Sequence, residues 1–456
     1  MKNFYKSALL IVAQVLISQA YAADLLDVWK SAQSKDPGYI ASRYAQLAGE
    51  KRKDQADSVF RPNVFLSVAT GYMTSNSSTT GAYFTAPGMG PATNAVFKTS
   101  VNGGTLERHT LTAIQPLYNK EKLAQKSQLN TSADLSELTW HQDQQNLIIL
   151  VAERYFDFLK AEEALRLAKK QELAIGKMFN EIKKRQQLGD AAQTDLQEAA
   201  QKMDATQVGI VNAEMDLKIK KMALDDLMPN IQNIKHLNES INLSALRLEG
   251  LEYYLSKMKS QNIGLKMAAL SQDLAKSEIA KYDVTSSPKV DLIAQSSRDR
   301  LNGSGDYGSS ASNTTANHLV ALQLTLPIYT GGYRSAKYEE SLNNFEKAKA
   351  DYDRASLDSE KLMRQVWIAL STSKERILAM SRSKETSQAR LIATRNGHRV
   401  GSRSTLELLG AEIDAIASEQ NLFVEQTNYL LNRLRLSSIV SELGEAELNA
   451  VNAYLK

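Results

Sequence analysis

The residue types from which catalysis or metal binding could be built are sparse and scattered in this chain. His109, His141, His236, His318 and His398 lie far apart, with no metal-ligand spacing, and no cysteine is present to join them. No glycine-serine nucleophile motif occurs. Carboxylates are abundant, but on long helical stretches they read as a solvated face rather than an acid–base pair. Gly303-Ser304-Gly305-Asp306-Tyr307-Gly308 matches the glycine spacing of a dinucleotide site, which needs a parallel strand before it and a helix after it. Ser, Asn and Thr follow instead, so the spacing carries no nucleotide chemistry. The chain is expected to be no enzyme and to hold neither metal nor cofactor.

What is ordered is the spacing of structural landmarks, stated twice. The first copy runs Arg61-Pro62-Asn63-Val64, Gln115-Pro116-Leu117-Tyr118, Leu188-Gly189 and Thr194-Asp195-Leu196. The second runs Ser287-Pro288-Lys289-Val290, Leu326-Pro327-Ile328-Tyr329, Val400-Gly401 and Leu406-Glu407-Leu408. Pro62 and Pro288 are offset by 226, Pro116 and Pro327 by 211, Gly189 and Gly401 by 212. The length change falls between the two prolines of each copy, where a loop is expected. A repeat of this kind means that one unit buries its apolar face against another.

The N-terminus reads as a secretory signal over residues 1–22: Lys2 and Lys6, the apolar run Ala8 to Ile17, and Ala20-Tyr21-Ala22 before the cleavage point. Its loss removes two lysines and lowers the formal charge from +4 to +2. With acids and bases interspersed, that balance excludes a nucleic-acid binder. No later run of 18 apolar residues exists, so a membrane could be crossed only by a closed β-barrel.

Between Asn119 and Leu188, and again between Thr330 and Val400, there is no proline. Seventy helical residues would extend roughly 105 Å, far beyond an ordinary globular helix. The return segments carry heptads: Leu196, Met203, Ile210, Leu217 and Leu224, with Ala199, Thr206, Ala213, Lys220 and Leu227 three residues behind. Leu409, Ile416, Phe423 and Leu430 repeat the period in the second copy. Such seams pack helix on helix, and each copy is expected to be a hairpin whose tip lies at Gly189 or Gly401. A secreted coiled-coil scaffold or adhesin would share these seams.

It would not need the strands. Val290, Leu292 and Ala294 alternate with Asp291, Ile293 and Gln295; Val320, Leu322, Leu324 and Leu326 alternate with Ala321, Gln323 and Thr325. The period of two predicts strands at about 63–74, 108–117, 289–300 and 317–328, with Ser75 to Thr105 and Asn302 to Ala316 as exposed loops. Four strands cannot close a barrel, and open edges in lipid are prohibitive, so copies of the chain must assemble.

At this point the chain resembles the TolC-like outer-membrane channel proteins of Gram-negative bacteria. The carriers are Asp24-Leu25-Leu26-Asp27-Val28-Trp29 with Lys35-Asp36-Pro37, Leu324-Thr325-Leu326-Pro327-Ile328-Tyr329-Thr330-Gly331-Gly332, Gln187-Leu188-Gly189 leading to Thr194-Asp195, and Arg399-Val400-Gly401-Ser402-Arg403. The resemblance implies an α+β membrane protein: a homotrimer with a twelve-stranded barrel in the outer membrane, four strands per chain, and a long α-helical coiled-coil tunnel through the periplasm. It divides the mature chain into a first repeat at 23–228, a linker at 229–250, a second repeat at 251–440 and a C-terminal segment at 441–456. The linker and the C-terminal segment would form a belt around the tunnel.

It also implies a passive exit duct, driven by an inner-membrane ABC or other transporter through a periplasmic adaptor. The Asp-Pro opening is most similar to members serving type I protein secretion; drug efflux is the alternative. Leu188, Gly189 and Asp190 with Val400, Gly401 and Ser402 would be the adaptor-contact tips. Thr194 and Asp195 would face His398 and Arg403 in a periplasmic gate, with Glu407 in an acidic ring. The family often has tyrosine at the place of His398 and a second ring aspartate at the place of Gly410. An Asp195–His398 pair would tighten as the imidazole takes up a proton.

Overall fold

The computed structural model describes residues 22–231, 233–238, 248–283, 288–305 and 309–456. The expected signal segment, apart from Ala22, lies outside them, as do Ser287, residues 306–308 and residues 239–247 of the linker.

In chain order the elements are α1 (Leu25–Lys35), α2 (Pro37–Ser58), β1 (Asn63–Ala86), β2 (Met89–Asn119), α3 (Lys120–Gln187), α4 (Gln193–Asp225), α5 (Leu251–Gln261), α6 (Ile263–Tyr282), β3 (Lys289–Ser304), β4 (Ser310–Thr325), α7 (Tyr333–Arg399), α8 (Thr405–Ile439) and α9 (Glu445–Asn452). Helices α3 and α7 have 68 and 67 residues, about 100 Å each at 1.5 Å per residue. Contacts divide the chain into two compact units. One holds Gly49–Asp134 and Leu270–Lys349; the other holds the rest of the described chain, and α3 and α7 contribute to both. Each unit thus takes segments from both copies of the landmark pattern.

The first unit contains a single antiparallel sheet in the order β1-β2-β3-β4. Its strands run farther than the period-two alternation indicates. Most of Ser75 to Thr105 and the described ends of Asn302 to Ala316 are strand: β1 and β2 continue to the pair Ala86–Met89, and β3 and β4 to Ser304–Ser310. The ladder is made by backbone groups, so Ser, Thr and Asn pair as well as apolar residues do. The turn itself is Pro87-Gly88, where proline presets φ and Gly88 takes φ +86°. At the other end β4 stops at Thr325, short of the expected residue 328, because Pro327 has no N–H to donate. Pro116 is accommodated by a register shift between Pro116 and Tyr118.

Register assigns the faces. Val64 pairs with Ala113, Ala113 with Ala294 and Ala294 with Val320; Leu292 pairs with Leu322 and Val290 with Leu324. These residues share one face, and Val320, Leu322 and Leu324 are 76%, 70% and 69% exposed. The same face changes character at His109, Arg298, Glu107 and Arg300 farther along the ladder. The result is an apolar band ending in charges, the pattern of a lipid-facing barrel wall. On the opposite face lie Thr110, Thr112, Gln295, Ser297 and Gln323. Strands β1 and β4 are each paired on one side only. Where β3 and β4 stop, β1 and β2 run on as a two-stranded ribbon carrying the edge-to-face pair Phe84–Phe97.

The second unit is helical. Tyr155, Phe156 and Leu159 of α3 are fully buried with Leu224, Leu227, Leu430 and Leu434. The Tyr155 hydroxyl donates to Lys235 O at 2.7 Å. Around it three distant segments meet: Ala23 bridges Ile234, and Leu237 bridges Leu455. The heptad seam of α4 is its buried side, with Ala199, Thr206, Ile210 and Leu224 enclosed. A second apolar stripe was not legible from that seam. Val208, Val211, Met215, Ile219 and Met222 are all exposed at 3-4-4-3 spacing on the other side of α4.

Candidate functional site at the helical tips

Both hairpin turns close by the same backbone device. After α3, Asp190 N donates to Arg185 O at 2.8 Å and Gly189 N to Gln186 O at 3.1 Å, with Gly189 at φ +81°. After α7, Ser402 N donates to Gly397 O at 2.9 Å and Gly401 N to His398 O at 3.0 Å, with Gly401 at φ +76°. These are six-to-one and five-to-two bonds around a left-handed residue, the helix stop that glycine permits without strain. Each turn presents one large apolar side chain to solvent, Leu188 at 76% and Val400 at 78%. Gly189 and Gly401 have open space where a Cβ would be, and Asp190 and Ser402 are exposed beside them.

The helices that leave the turns start differently. Ser404 caps α8 in a reciprocal box: Glu407 N donates to Ser404 Oγ at 3.1 Å, and Ser404 N donates to Glu407 Oε2 at 2.7 Å. Ala192 offers α4 no side-chain cap. Arg403 Nη1 lies 2.8 Å from Glu407 Oε1. The Ser404 amide, then Arg403, hold the Glu407 carboxyl below its ordinary value. Glu407 therefore serves the capping of its own helix and a local ion pair at the place expected for an acidic ring.

His398 bridges three helices. Its Nε2 lies 3.3 Å from Glu181 Oε1 on α3 and 3.2 Å from Thr405 Oγ1 at the start of α8, and only 15% of its side chain is exposed. Within the chain the structure does not bring Asp195 or Thr194 to His398 or Arg403. Asp195 sits in the first turn of α4, where a carboxylate favours the helix N-terminus, and Thr194 is exposed beside it. Three residues of this site escaped the sequence reading. Thr405 follows the Ser404-x-x-Glu407 capping signature, which was there to be seen. Gly397 leaves room for Arg403, whose Cγ would lie 2.7 Å from a Cβ built there. Glu181 had no local signal, since its partner is more than 200 residues away. Gly410 is open on its side-chain face.

Below the turns, Ile175, Met178 and Ile182 of α3 enclose Ala199 of α4 and Leu409 of α8. Ion pairs continue the contact. Glu419 of α8 takes Arg166 at 2.7 Å and Lys170 at 2.9 Å. Between α7 and α8 stand Arg390–Asp414 at 2.7 Å, Arg395–Glu412 at 2.8 Å and Arg376–Glu425 at 2.8 Å. Burial alone would raise the Glu419 carboxyl; Lys170 and Arg166 outweigh it and hold the group below 4.5. Glu121, near the start of α3, is likewise lowered against its burial, by Lys289 and Arg334.

Nothing at the tips resembles a reaction centre. Among the described residues no group of His, Cys, Asp and Glu could hold a metal, and no helix is long and apolar enough to cross a membrane. A sheet with an apolar band, joined in the chain to very long helices that end in polar turns, defines the class of outer-membrane channels. Residues 30–229 and 254–442 match the outer membrane efflux protein family. The chain is 26% identical over 450 residues to the outer membrane protein TolC of Escherichia coli (strain K12), covering 95% of this chain and 85% of that one. It is 22% identical over 442 residues to the alkaline protease secretion protein AprF of Pseudomonas aeruginosa, covering 96% and 89%. Solved structures of CusC and of the open state of Neisseria gonorrhoeae MtrE share the fold, with TM-scores of 0.70 and 0.69 at 15% and 16% identity. They cover 92% of this chain and 92% and 89% of their own. The chain belongs to the outer membrane efflux protein family, and is a transport channel of the Gram-negative outer membrane that extends into the periplasm. These relatives are channels, not enzymes.

Proposed function

We propose that this chain is the exit duct of a tripartite export system, a homotrimer that passes substrate from an inner-membrane transporter to the outside without an energy source of its own. The observation that carries the assembly is the open sheet. An apolar band with unpaired edges at β1 and β4 is untenable in lipid, where each orphan backbone group costs several kcal/mol. Two further copies would supply twelve strands and close it.

The helices make the same demand. Within the chain α4 contacts α3, through Lys169–Glu214 at 3.1 Å and Lys220–Asp157 at 3.1 Å. Helix α3 contacts α8, and α8 contacts α7. That leaves α4 and α7 as the outer members of the row, and α4 has its exposed apolar stripe. The closed resting entrance would be held by His398–Glu181, with Thr194 and Asp195 turned to the neighbouring protomer. Leu188 and Val400 on their rigid turns would seat the periplasmic adaptor.

The cargo is an exported protein. The Asp24 to Pro37 opening favours this, and relatives bearing the names alkaline protease secretion protein and proteases secretion protein support it. Deletion in the host decides between protein export and drug efflux. Loss of one or a few secreted proteins with unchanged sensitivity to dyes and antibiotics is the expected result. An unchanged secretome with heightened drug sensitivity would assign the channel to efflux instead.

A further inference from the structure

We propose that a cavity of about 340 Å³ between α5, α7 and α8 is a binding site for a small amphipathic anion, an aromatic or branched aliphatic carboxylate. It lies away from the tips, and the inference does not rest on the export reading. Part of its wall is apolar: Leu370 on α7 and Leu436 on α8, with the rings of Tyr254 and Tyr429. Its charged groups are three cations, Lys257, Lys374 and Arg433, against two carboxylates, Glu249 and Glu442. A volume near the lower end of the ligand-pocket range, apolar lining and a few convergent charges are what a small-molecule site requires.

Two of the three cations carry the argument. Lys257 is satisfied, bound to Glu442 at 2.6 Å and lying 5.4 Å from the centroid of the Tyr253 ring. Lys374 and Arg433 come from facing helices, and neither has a hydrogen-bond or ion-pair partner among the described residues. Two residues on from each, the pattern is opposite. Arg376 is paired with Glu425 at 2.8 Å, and Arg435 with Glu153 at 2.7 Å. Carboxylates thus pair with the neighbouring arginines, while Glu442 is taken by Lys257 and no carboxylate among the described residues is paired with Lys374 or Arg433.

The tyrosines do not cancel that charge, because burial pushes the Tyr254 and Tyr429 hydroxyls above the ordinary tyrosine value and keeps them neutral. A carboxylate placed between Lys374 and Arg433 gains charge-assisted hydrogen bonds, and its apolar body takes the place of water against Leu370 and Leu436. A neutral molecule of the same shape would have only the second contribution.

Calorimetric titration of the purified full-length protein in detergent tests this, with 4-phenylbutyrate as probe and 4-phenylbutyramide as its neutral match. The carboxylate should bind saturably, one per chain, at least about tenfold more tightly than the amide. Quenching of Trp367, whose indole donates to Glu249 O at 3.1 Å beside the cavity, gives an optical check. The pair Lys374→Gln and Arg433→Gln should remove that tenfold preference, and Leu370→Trp, which fills the space, should abolish binding of both probes. The wild-type comparison needs no variant to fold. No saturable binding up to about 10 mM, or equal affinity for acid and amide, overturns the proposal. So does unchanged binding in Leu370→Trp, which places the ligand elsewhere.

Discussion

The His398 imidazole, on α7, meets a carboxylate of α3 and a hydroxyl of α8. Removing either side of the contact should loosen the joint between the three helices. His398→Ala and Glu181→Gln should both raise single-channel conductance in planar bilayers; if Glu181→Gln leaves it unchanged, the joint is held by another group. The contrast with Asp195 shows how far residues alone could be read. That His398 lies at the turn was legible from its place before Gly401. Which acid it meets was not, because partners on different helices are set by supercoil phase, and no single-chain spacing encodes that. Glu407 shows the reverse. A carboxylate three residues after Ser404 is a capping signature, and the structure gives it that local duty.

Elements carry two further expectations. On β4, Leu322 and Gln323 are neighbours in sequence and opposite in environment. Leu322→Arg places a charge in the middle of the apolar band and should cost about 2–4 kcal/mol, whereas Gln323→Arg should change stability by less than about 0.5 kcal/mol. Equilibrium unfolding in lipid measures the difference, and equal losses would mean that the faces are misassigned. The second concerns α3 and α8, joined by Glu419. Its carboxyl is held below 4.5, so the clamp's contribution is full above that value and is lost as pH falls through the lowered one. Because Arg166 and Lys170 are about half exposed, solvent screens the pair and Glu419→Gln should cost only about 1 kcal/mol near neutrality. That deficit should vanish in acid. Helix and strand positions were legible because their periodicities are strong. The extent of the strands was not, since the ribbon beyond the apolar band has no lipid face and hence no alternation; only Pro87-Gly88 marked its turn.

At the scale of the whole molecule the proposed assembly has a second contact surface to test. The stripe Val208, Val211, Met215, Ile219 and Met222 leaves a helix face of coiled-coil type without a partner. Val211→Asp with Ile219→Asp should yield folded monomers of unchanged helicity, where the wild type should sediment as the proposed trimer. A trimer that survives both charges would put the interface elsewhere. The expectation of assembly came from four two-faced strands, through the cost of open edges in lipid. The second apolar side of α4 was not legible, because the heptads mark only the inner one.

One feature has a bearing on how such a chain can change over generations. The paired helices differ by one residue in one case, 68 against 67, and by two in the other, 33 against 35. The strand pairs differ by many more, 24 and 31 against 16 and 16. A helix residue inserted on one side alone would stagger the two turns by about 1.5 Å, and a heptad by roughly 10 Å. A residue added at the ribbon's end displaces nothing but water. In the proposed export assembly the helices would be a gauge, cut to a gap whose width other molecules decide, and the ribbon the free end where length can drift.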